Sequence, residues 1–355
     1  MIDTDSTVRI RPASPPPRNG GLRLPLIGGA AVVVVLLAGG GAWWVFRPAP
    51  TAPGIAVPAV PPHLPETQQP VAGTPPPATV LPVALPRPPP PPLEVATPRR
   101  SYQEILAQQV EEPTLVRLAE NPRVFVADFP TLAAQAAALN RVAALIEKSH
   151  APRDRVVSEE EMARLIAETG QPAEQYFLGH NYRGDDLARF FALRVRQGLP
   201  LRPEEARVEA WLAEMRRQVA DGEVALITLP RAQGPIDMAL RESILRHEIS
   251  HGFYFVDPLF AGYVRRTWSE RFPAAAREAF RRFLATEGYD PGNEDMMINE
   301  TLGYLLFTPD PRFFNPGSVG MDADAIEALR ALLRPGVPEA LRPLMVAPPE
   351  VVPAA

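Results

Sequence analysis

Apolar side chains in the middle of this chain recur mainly at helical spacing. Leu132, Ala136, Leu139, Val142, Ala143 and Ile146 fall on one stripe, because positions three and four apart share a helical face, and they predict a helix from Leu132 to Lys148. Ser158 with Glu161 three residues on is a capping-box pattern at the head of a helix reaching Thr169. Asp185 to Gln197 reads as a helix with Asp185 as its N-cap, and Pro203 to Ala220 as another with proline in its first turn. Runs that suit strands are few: Arg123 to Phe129 and Glu223 to Leu229. The pattern predicts a mostly helical α+β domain with a small sheet and no internal repeat.

The first hundred residues have a different character. Leu24 to Phe46 is an uncharged run of 23 residues, long enough for a membrane-spanning helix, and Trp43 and Trp44 stand at its far end where aromatics favour an interface. Arg9, Arg11, Arg18 and Arg23 precede it and Arg47 alone follows closely, which places the N-terminus in the cytoplasm and the bulk of the chain outside. Gly39 to Ala42 is small enough to admit the rival reading of a cleaved signal peptide. From Pro48 to Pro98 proline dominates, a composition that favours polyproline II and builds no core. The expected order is a cytoplasmic tip (1–23), a transmembrane helix (24–46), a proline-rich disordered linker (47–100), a folded domain (101–345) and a flexible tail (346–355). The segment after Pro335 is proline-rich again and reads as peripheral.

A net charge of −5 offers no basic stripe, and no nucleic-acid motif is present. Without cysteine there is no disulfide, thiol nucleophile or Cys-based zinc site, which leaves histidine and carboxylate as metal ligands. Two of the five histidines occur at ligand spacing, in His247-Glu248-Ile249-Ser250-His251. On a helix His247 and His251 project from one face and can hold one Zn²⁺, with Glu248 beside them to activate water. Leu240, Ile244, His247 and His251 share the inward stripe of that helix, which would start near Pro235 and Asp237 and weaken at Gly252.

A catalytic zinc takes three protein ligands and an open position. His63, His150 and His180 are placed poorly for the third. Asn293 to Phe307 reads as a buried helix in which Met296, Met297, Glu300, Tyr304 and Phe307 share a stripe. A carboxylate there is costly unless paired or bound to metal, so Glu300 is the candidate ligand, and pairing with Arg265 or Arg266 is the alternative. Glu294 and Asp295 near the helix start suit a supporting or capping role. Candidate donors to an oxyanion are Tyr304, His180 or Tyr182 from the polar stretch Gly179 to Asp186, and Tyr254 or Tyr263. The arginines Arg265, Arg266, Arg271, Arg277, Arg281 and Arg282 read as a solvated face or as a site for anionic polymer.

His247, Glu248 and His251, followed by Asn299-Glu300 with Gly303 and Tyr304, resemble the gluzincin group of zinc metallopeptidases, in which a Glu on a later helix completes HExxH. The HE-x-SHG and MINE segments are also similar to an uncharacterised family of membrane-anchored bacterial proteins, over about residues 101–315. The resemblance implies a zincin-like catalytic domain, a peptide-hydrolysing Zn²⁺ site, and an edge strand ahead of the HExxH helix, a place that Glu223 to Leu229 occupies in sequence. Arg246 departs from the uncharged residue usual before the motif.

The expectation is therefore a single-pass inner-membrane zinc metalloprotease with a periplasmic catalytic domain. Its partners would be a peptide or protein substrate, the envelope among its sources, and the membrane, but not nucleic acid. The alternatives are a non-catalytic envelope tether or scaffold, and a zinc-stabilised binding domain.

Overall fold

The computed structural model describes residues 97–149, 151–170, 172–176 and 178–347; the apolar run 24–46, the proline-rich segment up to residue 96 and the last eight residues lie outside them. The described residues belong to one unit, Arg87–Ala355. They are mostly helical with a small mixed sheet, an α+β arrangement.

The chain enters through β1 (Arg99–Arg100) and α1 (Tyr102–Ala107), then forms β2 (Thr114–Leu118) and β3 (Val124–Phe129). Helices α2 (Leu132–Ile146) and α3 (Glu159–Thr169) lead to a short β4 (Asn181–Arg183). Next come α4 (Gly184–Arg196), α5 (Pro203–Gln218) and β5 (Ala225–Pro230). The second half is helical: α6 (Met238–Val256), α7 (Pro258–Arg266), α8 (Ala274–Thr286), α9 (Glu294–Phe307) and α10 (Ala323–Leu333). The strand order is β1-β2-β3-β5-β4, with β3 and β5 parallel and β4 antiparallel to β5.

Strand alternation divides the core in two. Val124, Val126, Ala225, Ile227 and Leu229 face a cluster with α6 and the helices after it, whereas Phe125, Ala127, Phe129 and Leu226 face α2, α4 and α5. Both faces of β3 and β5 are covered, so every residue of each is buried and their sequences are mainly apolar, with Asp128 and Thr228 as buried polar exceptions. Two buried ion pairs stitch these layers. Arg241 meets Asp128 at 2.7 Å and also donates to the Ile105, Leu106, Gln108 and Pro230 carbonyls, fixing the first turn of α6 against α1 and the sheet. Arg141 meets Glu205 at 2.6 Å and joins α2 to α5.

Several expectations need correction. β5 is not an edge: it lies between β3 and β4, and the edge on that side is β4. Arg183, not Asp185, is the N-cap of α4, because the chain runs from strand β4 straight into the helix at Gly184. Gly252 does not weaken α6, which continues to Val256; a methyl group there would lie 2.8 Å from Val124 Cγ1, so the glycine lets the helix seat on β3. The segment after Pro335 is not peripheral, since Val337, Leu341 and Leu344 are buried in the main cluster. The strands β1, β2 and β4 were not expected. Among the described residues no helix is long and apolar enough to cross a membrane.

Candidate metal centre

α6 begins where the sequence signals it: Asp237 caps it, accepting from the Leu240 amide at 2.7 Å. Its inward stripe carries Ile244, His247 and His251, one turn apart, with His251 wholly buried. α9 starts at the Asn293 cap and packs against α6, bringing Glu300 to the histidines. The nearest oxygen of Glu300 is 3.4 Å from His247 Nε2 and 3.6 Å from His251 Nε2. One ligand atom from each of the three lies within 4.8 Å of the others, so the group could hold a metal ion. The helices approach this closely only because residue 303 is glycine; a methyl group there would sit 2.8 Å from His247 Cε1 and 3.0 Å from His251 Cε1.

The surroundings suit a cation. Thr308 donates its hydroxyl hydrogen to the Gly303 carbonyl at 3.0 Å, so at 2.8 Å from His247 Nδ1 it accepts. That places the imidazole hydrogen on Nδ1 and leaves the Nε2 lone pair facing Glu300. His251 Nε2 is buried and has no hydrogen-bond partner among the described residues, a costly arrangement that an ion would relieve. Burial opposes charge on His251, but Glu300 and then Glu248 outweigh it and raise its pKa to about 9. Burial would likewise raise Glu300, yet the histidines, His251 foremost, hold it well below the carboxylate range. These shifts show how strongly the three groups interact.

Glu248 points beside the group. Its Oε2 accepts from Asn181 Nδ2 at 3.0 Å, and Gly179 packs so tightly on Oε1 that a methyl group would lie 2.2 Å away. The edge strand β4 and the residues before it therefore clamp this carboxylate from both sides. Burial raises its pKa above the ordinary value, opposed by His251 and His247. The site opens into two cavities. One of about 250 Å³ is lined by His247, Glu248, Tyr304 and Lys148. The other, of about 450 Å³, is lined by Glu300, Asn299, Asn181 and Glu147.

Other expected residues are placed as follows. Tyr304 lines the smaller cavity, its ring 4.9 Å from that of His247. The polar stretch Gly179 to Asp186 does reach the site, through Asn181. His180 and Tyr182 do not: both are buried, joined at 3.0 Å through Nδ1 and the phenol, and line neither cavity. Asp295 is a brace, accepting from Arg183, Arg265 and Tyr254. Arg265 is thus engaged with Asp295, not with Glu300, and Tyr263 donates to the Leu332 carbonyl. Glu294 holds Arg281 and Trp268. Arg246 points away from the site to Tyr102, Glu242 and the Leu344 carbonyl, which explains how a charge is tolerated before the motif.

No protein-family model, no curated protein and no solved structure matches the chain. The functional reading therefore rests on the geometry. Sequence reasoning missed Thr308, Asn181 and Glu147. Asn181 lay inside a stretch already singled out, whereas Thr308 carries no spacing signal relative to His247.

Proposed function

We propose that the chain is a zinc metallopeptidase of the gluzincin type, anchored by residues 24–46 with its catalytic domain on the periplasmic side of the membrane. The observation that carries this reading is the convergence of His247, His251 and Glu300 beside a buried carboxylate, Glu248, held by the edge strand. Two imidazoles and one carboxylate are a donor set suited to Zn²⁺ with a position left open. When bound, the ion supplies Lewis acidity toward the scissile carbonyl and the attacking water.

The chain's own residues supply the rest. Glu248 takes a proton from the attacking water and returns it to the leaving amine. Asn181 and Gly179 fix the direction in which its oxygens point, and Thr308 fixes the His247 tautomer. Tyr304, which lines the smaller cavity with its ring 4.9 Å from that of His247, donates to the developing oxyanion; burial pushes its phenol well above the ordinary value, which keeps it protonated. The substrate is a peptide, and the free edge of β4 offers its backbone a pairing surface.

The test compares the full-length chain with Glu248→Gln. The wild type should carry about one Zn²⁺ and cleave peptides from a mixed library. The variant should keep the zinc and the melting temperature and lose roughly 10² to 10⁴ in turnover. Equal turnover refutes the role of Glu248. A zinc-loaded wild type that cleaves nothing favours a metal-stabilised binding domain, and a chain without zinc favours a tether.

A further inference from the structure

Glu147 stands at the end of α2, on the side of the site that the proposed mechanism leaves unused. It is 6% exposed and lines the larger cavity together with Glu300, Asn299 and Asn181. Among the described residues its carboxylate has no hydrogen bond and no ion pair. The three arginines on the same wall are held elsewhere: Arg183 by Asp295 at 3.1 Å, Arg153 by the Leu145 carbonyl at 3.0 Å and Asp290 at 3.6 Å, and Arg189 by the Arg153 carbonyl. Lys148, the next residue, lines the other cavity, its ammonium 4.4 Å from the centre of the Tyr176 ring.

A buried carboxyl group without a partner is costly, and near an active centre it asks for a ligand. The same wall includes Leu145 and Ile146 of the last turn of α2, the end of a helix that favours positive charge. Burial, then Glu300 and Glu248, push the Glu147 carboxyl well above its ordinary range despite the opposing pull of Lys148 and His251, so a further cation held against it favours its ionised form. We propose that the larger cavity binds a protonated primary amine of the substrate through Glu147, selecting peptides with a free amino group close to the cleaved bond. A compact ammonium with three donors suits one carboxylate at a helix end, whereas a flat guanidinium needs coplanar acceptors. The place of the cleaved bond in this proposal rests on the zinc-peptidase reading. The amine comes either from a peptide's amino terminus or from a lysine-type side chain, and the two share this chemistry.

The test is calorimetric titration of the zinc-loaded full-length chain with two pairs of hydroxamates, which anchor on zinc and need no turnover. One pair is leucine hydroxamate and its N-acetyl form; the other is Nα-acetyl-lysine hydroxamate and its Nα,Nε-diacetyl form. In one pair the free amine should bind about tenfold or more tighter than its acetylated twin. A gap in the leucine pair assigns the amino terminus, and a gap in the lysine pair the side chain. Glu147→Gln should abolish the gap and leave the acetylated probes unchanged, and Glu147→Asp should narrow it. Equal affinities within both pairs, or a gap that survives Glu147→Gln, overturn the proposal. A gap in a chain that cleaves no peptide keeps the amine site and refutes the peptidase reading; no binding by any probe refutes both.

Discussion

A methyl group on residue 303 would intrude on both histidine rings, so the ligand geometry depends on a side chain that is missing. Gly303→Ala should therefore force α9 away from α6 and lower zinc affinity, as read by metal competition, while melting changes less. Thr308→Val removes the acceptor that fixes the His247 tautomer and should cost roughly 10- to 100-fold in zinc affinity. His180 bears on stability, not on the site. Burial, with Lys148 adding, lowers its pKa to about 3 from 6.5. Between those values the unfolded chain binds a proton that the folded chain does not, so stability falls as pH drops below about 6.5, by about 1.4 kcal/mol per pH unit. Measured by denaturation between pH 7 and 5, the difference in stability between the wild type and His180→Phe should change with this slope, which isolates His180 from the buried carboxyls that titrate in the opposite sense. The motif residues were legible because helical spacing places His247 and His251 on one face. Gly303 was visible as a matching position but not as a contact. Thr308 was not visible, because its partner lies on another helix and sequence spacing holds no information on helix crossing.

At the level of elements, long periodic segments were readable and short ones were not. α2, α5, α6 and α9 lie where apolar stripes and caps predict them, with Asp237 and Asn293 as observed N-caps. The three residues of β4 and two of β1 are too few to show a period, and their pairing comes from neighbours. The same limit misplaced the edge: both β3 and β5 read as strands, but their order in the sheet is a tertiary property. Gly252 looked like a weak point near the helix end because glycine lowers helix propensity, yet its contact with Val124 decides the matter. Gly252→Val should lift α6 from the sheet and destabilise the domain by roughly 3 kcal/mol in chemical denaturation. A neutral result would mean that α6 shifts freely, and the site with it.

Across the whole unit, the proline-rich end misled because composition does not reveal docking. The amide of Val346 donates to the Leu306 carbonyl at 2.7 Å, and Leu341 and Leu344 belong to the same core cluster as the helices that carry the candidate ligands. Deleting residues 336–355 should lower the melting temperature by about 10 °C or more, because several apolar side chains lose their burial together. A truncated chain that melts like the full-length one would show that this segment only rests on the surface.

The parallel pairing of β3 with β5 also sets an order in time. Between these strands the chain makes α2 to α5 and β4, so Val124 meets Ala225 only after a long loop closes, whereas α6 to α9 follow one another directly. Non-local parallel pairing is slow. The clamp on Glu248 comes from before that closure and the candidate ligands from after it, so on refolding the chain should acquire metal affinity before the proposed peptidase activity.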